Sequence, residues 1–218
     1  MRPVICCVLS LFFLSCRTVM PPLAGDAGTM PSRYESALPR QFESQQTLVF
    51  EFSPHWWWPS IRMTALGYST VNRPSRDYTV VCLSPLGMKL FDVARSNGEF
   101  RAQFSIPLPG DRKTAGQAMD ADISDLFFDL TPPAGATMSR HCRQIIFKGP
   151  DGAHRVDYVF SADSGQLLSK TRFDGRRKGT TIIFSDTRTE GVRIYPATAV
   201  LRNHRQGYTL TLKTQSLR

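Results

Sequence analysis

Catalysis needs a nucleophile, a base or a set of ligands within reach of one another, and this 218-residue chain assembles none of these by spacing. Its four histidines, His55, His141, His154 and His204, are scattered. No GxSxG, HExxH, Walker loop or strand-following GxGxxG accompanies them. Ser84 follows an apolar run but lacks the flanking glycines of a nucleophile elbow. Asp120, Asp122, Asp125 and Asp129 cluster in one stretch, yet no second carboxylate can be set opposite them as an acid–base partner. A solvated helix face is the plainer reading of these acids. His141 adjoins Cys142, but neither CxxC nor HxxxH spacing supports a metal. The chain reads as a non-enzyme without cofactor or metal.

The elements that could position a binding site are more legible. Tyr78–Leu83 and Met88–Val93 are two apolar runs around Ser84-Pro85-Leu86-Gly87, a hairpin by composition. Its tip is odd, because turn tips are normally polar and Leu86 is not. Pro85 stiffens the backbone beside it and Gly87 tolerates positive φ. Leu86 either folds back onto its own body or is held out for a partner. Ser96-Asn97-Gly98 is the next tight turn. Phe100, Phe104 and Ile106 then share a strand face.

Upstream, Leu48, Phe50 and Phe52 alternate with polar neighbours, and Ile61–Thr70 is a further strand. Between them, Trp56, Trp57 and Trp58 cannot all face one core; they suit a membrane interface or a plug at one barrel end. From Thr114 to Leu130 the period turns helical, with Met119, Ile123, Leu126, Phe127 and Leu130 on one stripe, until Thr131-Pro132-Pro133 ends it. Strands resume at Arg143–Lys148, Arg155–Phe160, Gln166–Phe173, Thr180–Asp186, Val192–Leu201 and Tyr208–Thr214. The basic loop Arg176-Arg177-Lys178 lies among them.

The count is about ten or eleven strands with one main helix, a mainly β (α+β) chain. No βαβ alternation supports a parallel sheet. A sheet this large must curl or close, and one helix can cover its mouth or plug it. The expectation is an antiparallel half-open β-barrel with a helical lid or plug. Its cavity candidates are Phe50, Phe52, Tyr78, Val80, Phe100, Phe104, Tyr158, Phe160, Leu210 and Leu212.

The N-terminus reads as a secretory signal: Arg2, then the apolar run Val4–Leu14. Phe13-Leu14-Ser15-Cys16 resembles a bacterial lipobox, although Phe13 departs from the usual Leu or Val. The resemblance implies cleavage before Cys16, lipidation of its thiol and, with Arg17 rather than Asp next, sorting to the outer membrane. Residues 1–15 are then the signal, 16–44 the lipidated cysteine with a Pro-, Gly- and Ser-containing flexible tether, and 45–218 the barrel domain. Cys82 and Cys142 remain as the cysteines of the body. In an oxidising compartment a disulfide is the favoured reading, with two buried free thiols as the alternative.

The formal charge is +9, and losing Arg2 with the signal while losing no acid makes it +8. A secreted, lipidated chain without RNA-binding strand motifs is matched to anionic lipid head groups rather than nucleic acid.

Leu83-Ser84-Pro85-Leu86-Gly87, Tyr195-Pro196, Leu201-Arg202-Asn203 and Tyr208–Leu212, in this order of elements, resemble the LolA/LolB superfamily of bacterial lipoprotein carriers and receptors. Within it the chain most resembles a group of LolB-like outer-membrane lipoproteins. The resemblance implies an incomplete barrel whose cavity takes acyl chains of a lipid or lipoprotein, possible hand-over from a periplasmic carrier protein, and Pro85-Leu86-Gly87 as an insertion loop. It leaves the Trp cluster and the Arg176–Lys178 loop unmatched. The alternative is a filled barrel that docks on an envelope partner.

Overall fold

The computed structural model describes residues 27–52, 61–105, 112–190 and 193–218. The signal, Cys16, Trp56–Trp58 and Ile106 lie outside the described residues.

Chain order builds two antiparallel meanders. The first is β1 (Gln41–Phe52), β2 (Ile61–Asn72), β3 (Asp77–Leu83), β4 (Lys89–Ser96) and β5 (Glu99–Phe104). The second is β6 (Thr137–His141), β7 (Gln144–Asp151), β8 (His154–Ser161), β9 (Leu167–Asp174), β10 (Arg177–Glu190), β11 (Arg193–Asn203) and β12 (Tyr208–Leu217). First and last strands pair, Phe50 opposite Leu210 and Leu48 opposite Leu212, which joins the meanders into one twelve-stranded sheet. β5 and β6 are its two edges, and they do not pair. Between them in sequence runs helix α2 (Arg112–Phe127). The sheet is open, and the helix belongs to the chain segment that crosses from one edge to the other.

Alternation explains the curl. Phe42, Ser44, Gln46 and Leu48 of β1 are buried, and Ala65, Ser69 and Val71 continue that inner face across β2. A single buried face over twelve strands must bend around its contents. Register shifts at Gln45/Gln46, Cys82/Leu83, Val159/Phe160 and Lys178/Thr180 add local twist. Gly67 serves the same end: a Cβ there would lie 2.9 Å from Leu48 Cδ1, so only glycine lets Leu48 cross it freely.

The expected hairpins are present. β3 and β4 flank the Leu86 turn, and Asn97 and Gly98 both take positive φ (51° and 81°) in the β4–β5 turn. The described residues hold twelve strands, against the expected count of about ten or eleven. The unforeseen one is β6, whose five residues are all exposed and therefore carry no alternating signal.

The expected tether is corrected over residues 27–44. A short 3₁₀ turn, Ala27–Thr29, leads into helix α1 (Met30–Ala37), and β1 already starts at Gln41. Met30, Tyr34 and Leu38 are spaced i, i+4, i+8 and all are buried. The Tyr34 ring meets Phe160 edge-on at 5.9 Å. Pro31, which reads as a breaker, sits in the first helical turn, where no N–H is needed.

If α1 is part of the body, Tyr34→Ala will lower the unfolding free energy by about 3 kcal/mol, as for other large buried rings. A denaturant melt checks it; a tether would show no change.

Candidate functional site

Helix α2 lies inside the arch, held by its acids. Tyr78 of β3 donates to Asp120 Oδ1 at 2.6 Å, and Arg95 of β4 pairs with the same carboxylate. Tyr208 of β12 donates to Asp122. Lys170 and Arg172 of β9 both reach Asp125 Oδ1, at 2.6 and 2.7 Å. Just past the helix, Arg76 of the β2–β3 turn pairs with Asp129 at 2.9 Å. The four aspartates thus bind six strand and turn partners, three from each meander.

The expectation of a solvated acidic face is overturned: Asp125 is 1 % exposed and Asp122 is also buried. Charges are buried only when paired, and here the barrel wall supplies the partners. Burial lowers the Lys170 pKa, with Asp125 opposing the shift. Burial raises the Asp122 carboxyl to about 7, against the lowering effect of the Tyr208 hydrogen bond. The Tyr78 and Tyr208 hydroxyls are pushed up, first by burial and then by their aspartates.

Lys170 and Arg172 were not singled out from the sequence. At the β8–β9 bulge Phe160 pairs with Leu167 and Val159 with Ser169, so Leu168 is the extra residue. That insertion changes the inward parity along β9, and Leu167 and Lys170 are both buried. A strict period of two hides it. The one signal available was an acidic cluster in a basic chain, which asks where its counter-charges are.

The apolar stripe of α2 faces the core. Ile123, Leu126 and Leu130 are buried, while Met119 and Phe127 pack half-buried against the core. The helix ends at Phe127 rather than at Leu130, closed by Phe128 and Asp129 N–H groups that both donate to the Ser124 carbonyl.

Two spaces adjoin the helix. A narrow slot of about 60 Å³ lies between Leu126, Phe127 and Leu130 and the strand residues Phe42, Phe184, Ala199 and Leu212, with Leu38 beside them. A wider cleft of about 620 Å³ opens between β5 and the first half of α2, lined by Phe100, Ala102, Phe104 and Gly116 with Lys113 and Gln117. Ordinary ligand pockets run from roughly 300 to 1,000 Å³, so only the cleft is of that size. Of the expected cavity residues, Phe100 and Phe104 line the cleft and Leu212 the slot. Phe50, Phe52 and Leu210 are half-buried. Tyr78, Val80, Tyr158 and Phe160 are packed in the core and line neither space.

Leu86 is held out, 87 % exposed, with Met88 at 62 %. The turn beneath it is rigid. Ser84 N–H donates to Met88 O at 2.8 Å, Gly87 N–H to Ser84 O at 2.9 Å, and Met88 N–H to Ser84 Oγ at 3.1 Å. Gly87 takes φ of 81° and Pro85 is exposed. Because the strands alternate in direction, the β3–β4, β9–β10 and β11–β12 turns share one end of the sheet. Exposed Arg176, Arg177, Lys178, His204 and Arg205 therefore sit at the same end as Leu86.

The expected disulfide is not formed, and both thiols are free. Cys82 is buried in the core near the end of β3, whereas Cys142 is exposed in the β6–β7 turn at φ 50°. Burial pushes the Cys82 thiol up to about 12, which leaves it inert. Among the described residues no group of three His, Cys, Asp or Glu side chains could hold a metal.

No protein-family model and no curated protein matches this sequence. Solved structures do match in shape. A LolA superfamily protein from Nitrosomonas europaea superposes with a TM-score of 0.61 at 10 % identity, over 89 % of this chain and 94 % of that one. The fold is similar to that of this LolA superfamily protein. A DUF1329 family protein from Desulfovibrio piger gives 0.54, and an outer membrane lipoprotein-sorting protein domain from Vibrio parahaemolyticus 0.51. Both are 10 % identical, over 87 % of this chain and 90 % of theirs.

The buried Asp122 carries a pH signature. Its folded pKa is above the unfolded value of roughly 4, so the native state holds the extra proton and stability falls as pH rises from about 4 to about 7. Asp122→Asn removes that loss. Urea melts from pH 4 to 8 will show the variant gaining on the wild type up to about pH 7 and no further; parallel profiles would contradict a buried, protonated Asp122.

Proposed function

We propose that this chain is an envelope lipoprotein, anchored to the outer membrane through Cys16 and facing the periplasm. In this reading it takes acyl chains of a lipid or lipoprotein into the space beside and beneath α2 and aids their placement in that membrane. One observation carries it. The two sheet edges stay unpaired, and the helix that joins them in sequence packs its apolar stripe on the inner face beside an open cleft, part apolar and part polar, at its first half. Each methylene moved from water into such a site contributes about 0.8 kcal/mol, enough to hold a chain without covalent chemistry.

Pro85, Leu86 and Gly87, with Met88, form the membrane- or cargo-facing tip in this reading. Their exposure on a hydrogen-bonded turn supports it, as does the basic character of two other turns at the same end of the sheet. The superfamily fold, shared with a structure described as lipoprotein-sorting, also fits a binder of lipid or lipoprotein better than an enzyme.

A second reading is a filled barrel that docks on an envelope partner through the same tip. The small volume of the inner slot, about 60 Å³, favours it. Native mass spectrometry of protein purified from membranes without detergent separates the two: co-purifying acyl lipid supports the carrier, and a body that never carries lipid supports the filled barrel.

Leu86→Glu tests the tip. An exposed substitution of this kind should leave the melting temperature within experimental scatter and stop lipid delivery to vesicles. A drop of several degrees, or unchanged delivery, would remove Leu86 from that role.

A further inference from the structure

The ion pair at the centre of the barrel is divided between a part that must stay and a part that must move. Lys170 and Arg172 stand on the inner face of β9, in the middle of the sheet's second meander. Their shared counter-charge, Asp125, stands on α2, the element an incoming chain has to displace. Both cations bond the same carboxylate oxygen, and Lys170 and Asp125 side chains are each only 2 % exposed. Ile182 is paired with Lys170 across the sheet, and the Tyr158 ring lies 5.7 Å from its ammonium.

Without Asp125 the sheet cannot satisfy these groups. Arg172 retains Asp151 at 3.3 Å, while Lys170 has no other carboxylate within ion-pair distance among the described residues. Arg172 Nε is buried with no hydrogen-bond partner even with the helix in place. Breaking a buried pair by withdrawing one partner costs several kcal/mol. Displacement of α2 is therefore costly unless something brings a replacement anion.

We infer that Lys170 and Arg172, which line neither space while α2 is in place, become a head-group subsite when it is displaced, and that they take a carboxylate or phosphate at the end of an acyl chain in the place of Asp125. This rests on the reading that acyl chains enter beside α2, and it names their class: amphiphiles with an anionic head. Exchange of one anion for another keeps both cations paired as the helix leaves. A neutral lipid of equal length buries the same methylenes and strands Lys170, so the site rejects it by an unpaired charge rather than by size. Asp125 acts as an internal competitor that keeps the empty cavity shut.

Fluorescence titration with cis-parinaric acid and its methyl ester, above pH 7, tests this. Wild type should bind the acid at least tenfold more tightly than the ester. Asp125→Asn, which leaves no pair to break, should tighten acid and ester alike severalfold and keep their ratio, and Lys170→Met with Arg172→Met should erase the preference. Displacement by lysophosphatidic acid or by palmitate then tells which anion is preferred. Equal binding of acid and ester by the wild type overturns the subsite while leaving acyl binding intact; binding of neither overturns both. The wild-type comparison decides even if a variant fails to fold.

Discussion

The contact on which this architecture depends is the buried meeting of Asp125 with Lys170 and Arg172. It sits where a salt bridge is energetically precarious. The desolvation of three charges is offset only while all three stay together, so the contact is strong against partial opening and weak against exchange. Around it, Asp120, Asp122 and Asp129 repeat the pattern at the periphery with tyrosine and arginine partners from four further elements. These bonds fix the helix inside the arch of a sheet whose two edges stay unpaired. Hydrophobic packing of Ile123, Leu126 and Leu130 supplies the bulk of the adhesion, and the aspartates set the register in which it occurs.

That arrangement lets an open sheet exist without a sticky edge. β5 and β6 are short, at six and five residues, and β5 faces α2 across the cleft. Had the edges paired, the barrel would be closed and its interior fixed at synthesis. Left open and spanned by a helix, the interior has one wall that differs from the other twelve elements in being held by side chains rather than by backbone hydrogen bonds. At the far end Leu38, just past α1, lines the slot, and at the near end the Leu86 turn projects from the same end of the sheet as the basic turns.

Much of the sheet was legible because alternation and turn chemistry are local. Leu48, Phe50 and Phe52, the Asn97-Gly98 turn and the apolar Leu86 tip each announce themselves within a few residues. What stayed hidden is non-local or interrupted. The β9 bulge reverses the parity that would have shown Lys170 facing inward, and the partners of the α2 acids, cations from β4 and β9 and tyrosine hydroxyls from β3 and β12, are remote in sequence. Pro31 masks α1 because a proline reads as a stop although the first helical turn accepts it. Pairing Cys82 with Cys142 followed from compartment alone, and geometry places one thiol inside and the other outside.

If α2 is a lid latched by ion pairs, an acyl ligand must loosen it while leaving the sheet intact. Hydrogen–deuterium exchange with and without a long-chain fatty acid measures this directly. Amides of α2 should exchange faster in the bound state, while those of β1 and β12, the seam of the sheet, stay protected. Bound ligand with α2 equally or better protected would contradict the lid and leave the helix a permanent plug.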